Sequence, residues 1–176
     1  MSWPTLPARF TAEGGYRFAL IDAPALIADI EATVPAAARE ETFYYFTRSP
    51  FPLSEFVAAD PQRQTFGLWR GGEAVACSSI YDADAAAQRV TMGFTWVAPQ
   101  WRGRGVNTVL KQGLFRELAA AGVREVWLRA DVDNARSCAA MEKMGAQRMF
   151  VDEAPRVYPD RVSQSVFYRK TLCKFS

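Results

Sequence analysis

The feature that most constrains this chain is a short run at residues 102–108, Arg-Gly-Arg-Gly-Val-Asn-Thr, set between a strand-like segment and an amphipathic helix. Arg89 to Val97 reads as the strand, Pro99 ends it, and Gly105 to Ala121 reads as the helix. Val106, Val109, Leu110, Gly113, Leu114 and Leu118 fall on one helical face, and Lys111, Gln112 and Arg116 fall off it. Any fold must therefore carry a strand into a helix through two glycines. The first N–H groups of such a helix have no partner within it and the helix dipole adds positive potential, so a loop of this kind suits an oxyanion. Arg102 and Arg104 add full charges, and Gly103 and Gly105 let an anion approach the main chain. Taken alone, the run also fits a solvated turn with two surface arginines. Two other phosphate motifs fail on spacing: position 108 is Thr where a dinucleotide fingerprint needs its third glycine, and no G-x-x-x-x-G-K-[ST] occurs.

Around this loop the pattern is regular. Tyr16 to Leu20 alternates as a first strand, Pro24 opens a helical stretch through Ile30, and Pro35 interrupts it. A short helix is expected over Ala36 to Tyr44 and another over Leu53 to Ala59, separated by Ser49-Pro-Phe-Pro52. Thr65 to Trp69 and Ala74 to Tyr81 read as a hairpin turned at Arg70-Gly-Gly-Glu73, and Arg89 to Val97 adds to the meander. Val123 to Ala130 is a buried-type strand, and Asn134 to Met144 a helix stopped by Gly145. Ala146 to Asp152 and Gln164 to Thr171 are closing strands on either side of a proline-containing loop. This order implies an α/β (α+β) fold with one sheet of mixed direction, in a single domain over residues 1–176.

Composition removes whole classes of chemistry. The 176 residues include no histidine, so Ser-His-Asp and Cys-His catalysis, histidine-based zinc sites and histidine phosphotransfer are excluded. The three cysteines form no C-x-x-C pair, which points away from a metal ribbon or disulfide framework and fits a reducing cytoplasm. With 21 Lys and Arg against 19 Asp and Glu, a net charge of +2 argues against a nucleic-acid partner. No stretch approaches the roughly 20 apolar residues of a membrane helix, and Met1-Ser-Trp-Pro-Thr lacks the basic start and apolar core of a signal peptide. A soluble cytoplasmic protein without a membrane partner is the expectation, and the sequence is compatible with a homodimer.

Two longer motifs carry a resemblance. Thr91-Met-Gly-Phe-Thr-Trp-Val-Ala-Pro-Gln-Trp-Arg-Gly-Arg-Gly-Val-Asn-Thr108, followed after a helix and a strand by Asp133-Asn-Ala-Arg-Ser-Cys-Ala-Ala-Met-Glu-Lys-Met-Gly145, resembles the GNAT superfamily of acetyl-CoA-dependent N-acetyltransferases. Within it the chain is most similar to the RimJ and RimL type of ribosomal-protein N-terminal acetyltransferase. The resemblance implies a mixed, mostly antiparallel central sheet, flanked by helices and splayed between the fourth and fifth strands. It implies that the coenzyme A pyrophosphate rests on Arg102, Gly103, Arg104, Gly105, Val106, Asn107 and Thr108, where Asn107 replaces the usual Gly or Ala. It also implies a bulge near Trp96 and Val97, with the pantetheine arm in the gap, the Val97 N–H facing the thioester carbonyl and Asn134 beside the arm. No metal is implied.

Acetyl transfer to an amine needs a neutral nucleophile, a donor for the developing oxyanion and a proton for the thiolate; positioning supplies much of the effect. Asn134 is also a natural helix N-cap. Ser137 matches the acid proposed in the RimL-type branch, and Met141 stands where many relatives carry a tyrosine. The glutamate that the branch often places before the loop is Thr91 here. Asp152 and Glu153, at the end of the sixth expected strand, are the remaining base candidates, with a chain of water molecules as the alternative. Phe43, Tyr44, Tyr45, Phe46, Phe51 and Phe56 form an aromatic group that reads as mostly core, and that the resemblance places over the acceptor side. Cys138 reads as a small buried hydrophobe. The implied activity is direct transfer from acetyl-CoA to an acceptor amine, a peptide N-terminus or small molecule. The alternative is a non-catalytic acyl-CoA-binding or regulatory module.

Overall fold

The computed structural model describes residues 3–46, 53–57 and 60–173. Its strands are β1 (Arg9–Ala12), β2 (Tyr16–Leu20), β3 (Arg63–Arg70), β4 (Glu73–Asp84), β5 (Arg89–Val97), β6 (Glu125–Asp131), β7 (Gln147–Val157) and β8 (Val162–Thr171). They form one sheet in the order β1-β2-β3-β4-β5-β6-β8-β7, antiparallel except for the parallel pair β5–β6. The helices are α1 (Pro24–Glu31), α2 (Arg39–Thr42), α3 (Leu53–Val57), α4 (Val106–Ala120) and α5 (Ala135–Lys143), with single 3-10 turns at Ala36–Ala38 and Pro99–Trp101.

The hydrophobic pattern puts a core on each face of the sheet. Leu110, Leu114 and Leu118 of α4 and Met141 of α5 pack with Phe18, Phe66, Leu68, Val126, Leu128 and Tyr168 on one face. Ile30, Val34, Phe43, Leu53 and Phe56 pack with Trp69 and Trp96 on the other. Each face is thus covered by the helix stripes that the sequence periodicity supplies.

Three elements depart from the sequence reading. β1, which the sequence reading did not include, pairs with β2 through Arg9 to Ala12; its four residues alternate exposed and half-buried, a run at the short end of strand length. The helix expected to reach Tyr44 ends at Thr42, preceded by the 3-10 turn. The proline-containing loop is mostly strand: β7 continues through Pro155 to Val157, and β8 begins at Val162. β7 lies at the sheet edge, where a proline need not donate to a neighbour, and a register shift between Val151 and Pro155 absorbs the irregular run. Phe51 and the Ser49-Pro-Phe-Pro52 break lie outside the described residues, as do Ala58 and Ala59 of the third expected helix.

Candidate active site

The site begins where the sheet comes apart. β5 and β6 pair only from Arg89 with Glu125 to Met92 with Leu128, and the strands then diverge. β5 bends because its register with β4 shifts between Cys77 and Ser79, leaving Phe94 and Thr95 opposite Ser78, with Phe94 at φ +49°. This bulge lies immediately before Trp96 and Val97, near which the resemblance implied one; those two residues pair with Cys77 and Ala76. Gly93 sits at its start because an added Cβ would lie 2.8 Å from the Tyr81 hydroxyl. Ala98 N–H donates to the Val75 carbonyl at 2.8 Å, toward β4, so strand alternation turns the Val97 N–H toward the gap. A cavity of about 630 Å³ occupies this gap and extends to the 102–108 loop.

At the loop end, the backbone builds the wall. Gly103 and Gly105 have φ of +74° and +77°, and a Cβ placed on either would meet nothing within 4 Å, so the main chain faces open space. α4 starts without a side-chain cap. Its Val109 N–H is bonded to the Gly105 carbonyl at 3.2 Å, which leaves the N–H groups of Val106, Asn107 and Thr108 ahead of the first helical bond. Arg102 lines the cavity and donates to Thr42 Oγ1 at 2.9 Å, tying α2 to the loop. Arg104 is turned away, its guanidinium 5.0 Å from the Trp101 ring centre. Across the cavity, Asn134 caps α5 by accepting the Ser137 N–H at 3.2 Å. Asn134, Ser137 and Met141 line that wall.

The structure therefore gathers Trp96, Val97, Arg102, Gly103, Gly105, Val106, Asn107, Thr108, Asn134 and Ser137 around one cavity. Arg104, Asp152 and Glu153 stand outside it. Asp152 lies in the irregular part of β7, where its Oδ1 accepts the Ala154 N–H at 3.2 Å, and Glu153 is exposed. Cys138 is half-buried against the core below α5, with its thiol 3.8 Å from the Asp131 carbonyl, and does not line the cavity.

The other end is built from side chains. Asp131, fully buried at the end of β6, accepts from Tyr158 Oη, from Ser163 Oγ at 2.9 Å and from the Asp133 N–H at 2.8 Å. Burial alone pushes its carboxyl up, but these bonds and the Arg161 charge outweigh that and hold it below the usual carboxylate range. Arg156, also buried, lies 3.7 Å from Asp131 and donates to Tyr158 Oη, to Ser165 Oγ and to the Tyr45 carbonyl, fastening β7 to the chain after α2. Tyr44 stacks on Tyr158 at 5.2 Å, while Tyr45 and Phe46 line the cavity and Phe43 and Phe56 pack on the core. The aromatic group is thus divided between core and cavity.

Lys111 was placed off the apolar face of its helix by the sequence reading, and the structure buries it at 6% exposure in the cavity wall. Its Nζ donates to Thr95 Oγ1 at 2.9 Å, and burial lowers its pKa to about 7. The buried stripe of α4 includes Phe115 and Leu118 as well as Leu110 and Leu114, and Lys111 falls within it, one turn before Phe115. That spacing was the available signal.

The described residues fit a long donor that is anionic at one end: uncapped helix N–H groups beside Arg102, then an open strand edge, then polar and aromatic side chains. The chain belongs to the acetyltransferase (GNAT) family, whose model matches residues 30–146. That family uses acetyl-CoA as acyl donor and an amine as acceptor. No curated protein matches the chain by sequence. Among solved structures, a probable acetyltransferase (GNAT family) from Chromobacterium violaceum superimposes with a TM-score of 0.80 at 19% identity, covering 95% of this chain and 93% of that one. A GCN5-related N-acetyltransferase from Brucella melitensis gives 0.75 at 16% identity, covering 96% and 82%. An acetyl transferase from Salmonella typhimurium that modifies the N-terminal serine of ribosomal protein L7/L12 gives 0.80 at 11% identity, covering 94% and 99%. Among the described residues, no helix is long and apolar enough to cross a membrane and no cluster of His, Cys, Asp or Glu is placed to hold a metal.

Proposed function

We propose that this chain, as a single domain over residues 1–176 acting in the cytoplasm, transfers an acetyl group from acetyl-CoA to a primary amine by direct attack in a ternary complex. The observation that carries the reading is the continuity of one cavity from the uncapped start of α4, along the unpaired edge of β5, to the wall of Tyr45, Phe46, Asp131 and Arg156. Arg102 and the N–H groups of Val106, Asn107 and Thr108 hold the pyrophosphate. The Val97 N–H donates to the thioester carbonyl as negative charge develops on it. Asn134 fixes the start of α5, so that Ser137 stands in the cavity wall to protonate the thiolate. Asp152 and Glu153 are left out of these roles, because neither lines the cavity.

A peptide N-terminus is the acceptor we favour, in the RimJ and RimL manner; the likeness to the Salmonella ribosomal-protein enzyme supports this choice only through the shared fold. The test is a screen of free-N-terminus peptides and small primary amines with acetyl-CoA, following free thiol. Thiol release with a peptide supports the reading in full, and release with small amines alone moves the acceptor class. Coenzyme A binding in calorimetry with no release from any amine replaces the reading with a non-catalytic acyl-CoA-binding module.

A further inference from the structure

A chain without histidine has no side chain that ordinarily titrates near neutral pH, and both carboxylates nominated as base stand outside the cavity. Inside it stands Lys111. Its amine reaches the bulge of β5 and, among the described residues, is hydrogen-bonded there to a single neutral acceptor, Thr95 Oγ1, which also shares a bond with Ser78 Oγ at 2.8 Å. An ammonium carries three donors and wants three acceptors or a counter-ion, whereas a neutral amine with one bond keeps a lone pair to direct elsewhere. The site is therefore built for the neutral form. Around the opening, Glu41 on α2, Tyr45 after it, Tyr81 on β4, Arg129 and Asp131 on β6, Arg136 on α5, Arg156 on β7 and Arg102 in the loop also line the cavity. None forms an ion pair or hydrogen bond with Lys111: Asp131 is engaged by Tyr158, Ser163 and Arg161, and Arg129 by Ser165. From β1, which packs against α4, Arg9 is held by Asp22 at 2.9 Å.

The position also separates Lys111 from the anion loop. It lies five residues, roughly 7.5 Å of helix rise, past Val106, and its partner Thr95 lies in the bulge, two residues before Val97.

Resting on the acetyltransferase reading above, we infer that Lys111 is the base that takes the proton of the attacking amine. The N–C bond forms and the C–S bond breaks; the proton leaving nitrogen is held on Lys111 Nζ and passed to solvent, while the thiolate takes an equivalent proton from Ser137 or water. Once the N–C bond begins to form, the amine nitrogen becomes far more acidic, so a base near neutrality is strong enough. The pKa of about 7 that burial gives Lys111 agrees with this role.

The test compares wild type with Lys111→Met and Lys111→Arg, using each amine or peptide that releases thiol in the screen. For wild type, kcat/KM should rise through two limbs, one that follows the acceptor amine's own pKa and one near pH 7 that stays fixed when the acceptor's basicity changes. Lys111→Met should lose the fixed limb and about 100-fold or more in kcat, with coenzyme A affinity by calorimetry within a few-fold of wild type. Lys111→Arg keeps a charge but cannot deprotonate, so it should be as slow as the Met variant. A rate restored by arginine, or a fixed limb that persists in Lys111→Met, overturns the proposal while leaving the acetyltransferase reading intact. Wild type inert toward every amine removes both. On wild type alone, titration of the 13C-labelled lysine ε-carbons by NMR should show one lysine with a midpoint near 7, absent from Lys111→Met; a midpoint above about 9 for Lys111 overturns the inference without reference to turnover.

Discussion

The two ends of the cavity are made of different material. At the loop end the wall is main chain: the N–H groups of Val106 to Thr108, the φ-positive glycines 103 and 105, and the open edge of β5. At the far end it is side chain, with Asp131, Arg156 and Tyr158 joined to Tyr44, Tyr45 and Arg161 by hydrogen bonds and ring stacking. A backbone wall tolerates exchange of most of its side chains, because the groups that do the binding belong to every residue type. A side-chain wall changes shape with each substitution. One end is thus suited to an invariant donor, the other to a particular acceptor.

The contrast is sharpest for stability. Asp131→Ala leaves Arg156 buried beside a missing carboxylate and should cost about 3–5 kcal/mol, read by denaturant unfolding. The folded pKa of Asp131 is depressed, so its contribution is present above the unfolded carboxyl value near 4 and is lost as pH falls through the lower folded value. Asp131→Asn should lack that acid-dependent component.

Lys111→Met should move stability the other way. The folded pKa of this lysine lies below its unfolded value, so the unfolded chain binds more protons between pH 7 and the ordinary lysine range. The substitution should stabilise by ~4 kcal/mol near pH 7, a gain that shrinks toward pH 10.5; thermal melts across that range check both sign and slope.

At the backbone end, effects should fall on binding. Gly105→Glu places a carboxylate at the start of α4, at a φ of +77° that disfavours any side chain, and should weaken coenzyme A binding about 100-fold, or ~2.7 kcal/mol. Calorimetry on the folded variant decides, and unchanged affinity would move the anion site elsewhere. The smallest effect belongs to Ser137→Ala. The α5 cap uses the Ser137 N–H and not its hydroxyl, so melting should be unchanged while kcat falls about tenfold. An unchanged kcat would leave proton delivery to water.

The backbone end was also the legible end. Arg102 to Thr108, the strand before it, and the Asn134 cap are contiguous motifs whose geometry follows from a few neighbouring residues, and the structure places them within a residue or so of the sequence reading. The side-chain end depends on residues far apart in the chain: Asp131, Arg156 and Tyr45 meet only because β8 inserts between β6 and β7 and β7 runs on past Pro155. No local pattern announces such a meeting. Lys111 was misplaced for a related reason, since a lysine within a helix is ordinarily a solvent residue and only the gap in the sheet gives its amine a polar place inside.

The short seam between β5 and β6 has a mechanical consequence. On one side, β1 to β5 are joined antiparallel in chain order; on the other, β6, β8 and β7 form a second antiparallel group. Among the described residues, the strand pairing that joins the two groups is the parallel one from Arg89 to Met92, with α4 as the crossover and Gln88 accepting from Arg124 and Glu125 just before it. The strands it joins are separated in the chain by α4, so the seam, like the β2–β3 and β6–β8 pairings, closes by a long-range step in assembly. A molecule wedged into the opening touches both groups of strands and binds only when they are together, so it shifts the equilibrium toward the closed sheet in proportion to the logarithm of its concentration. On the proposed reading the donor is that molecule, and amides along the seam should exchange more slowly in its presence.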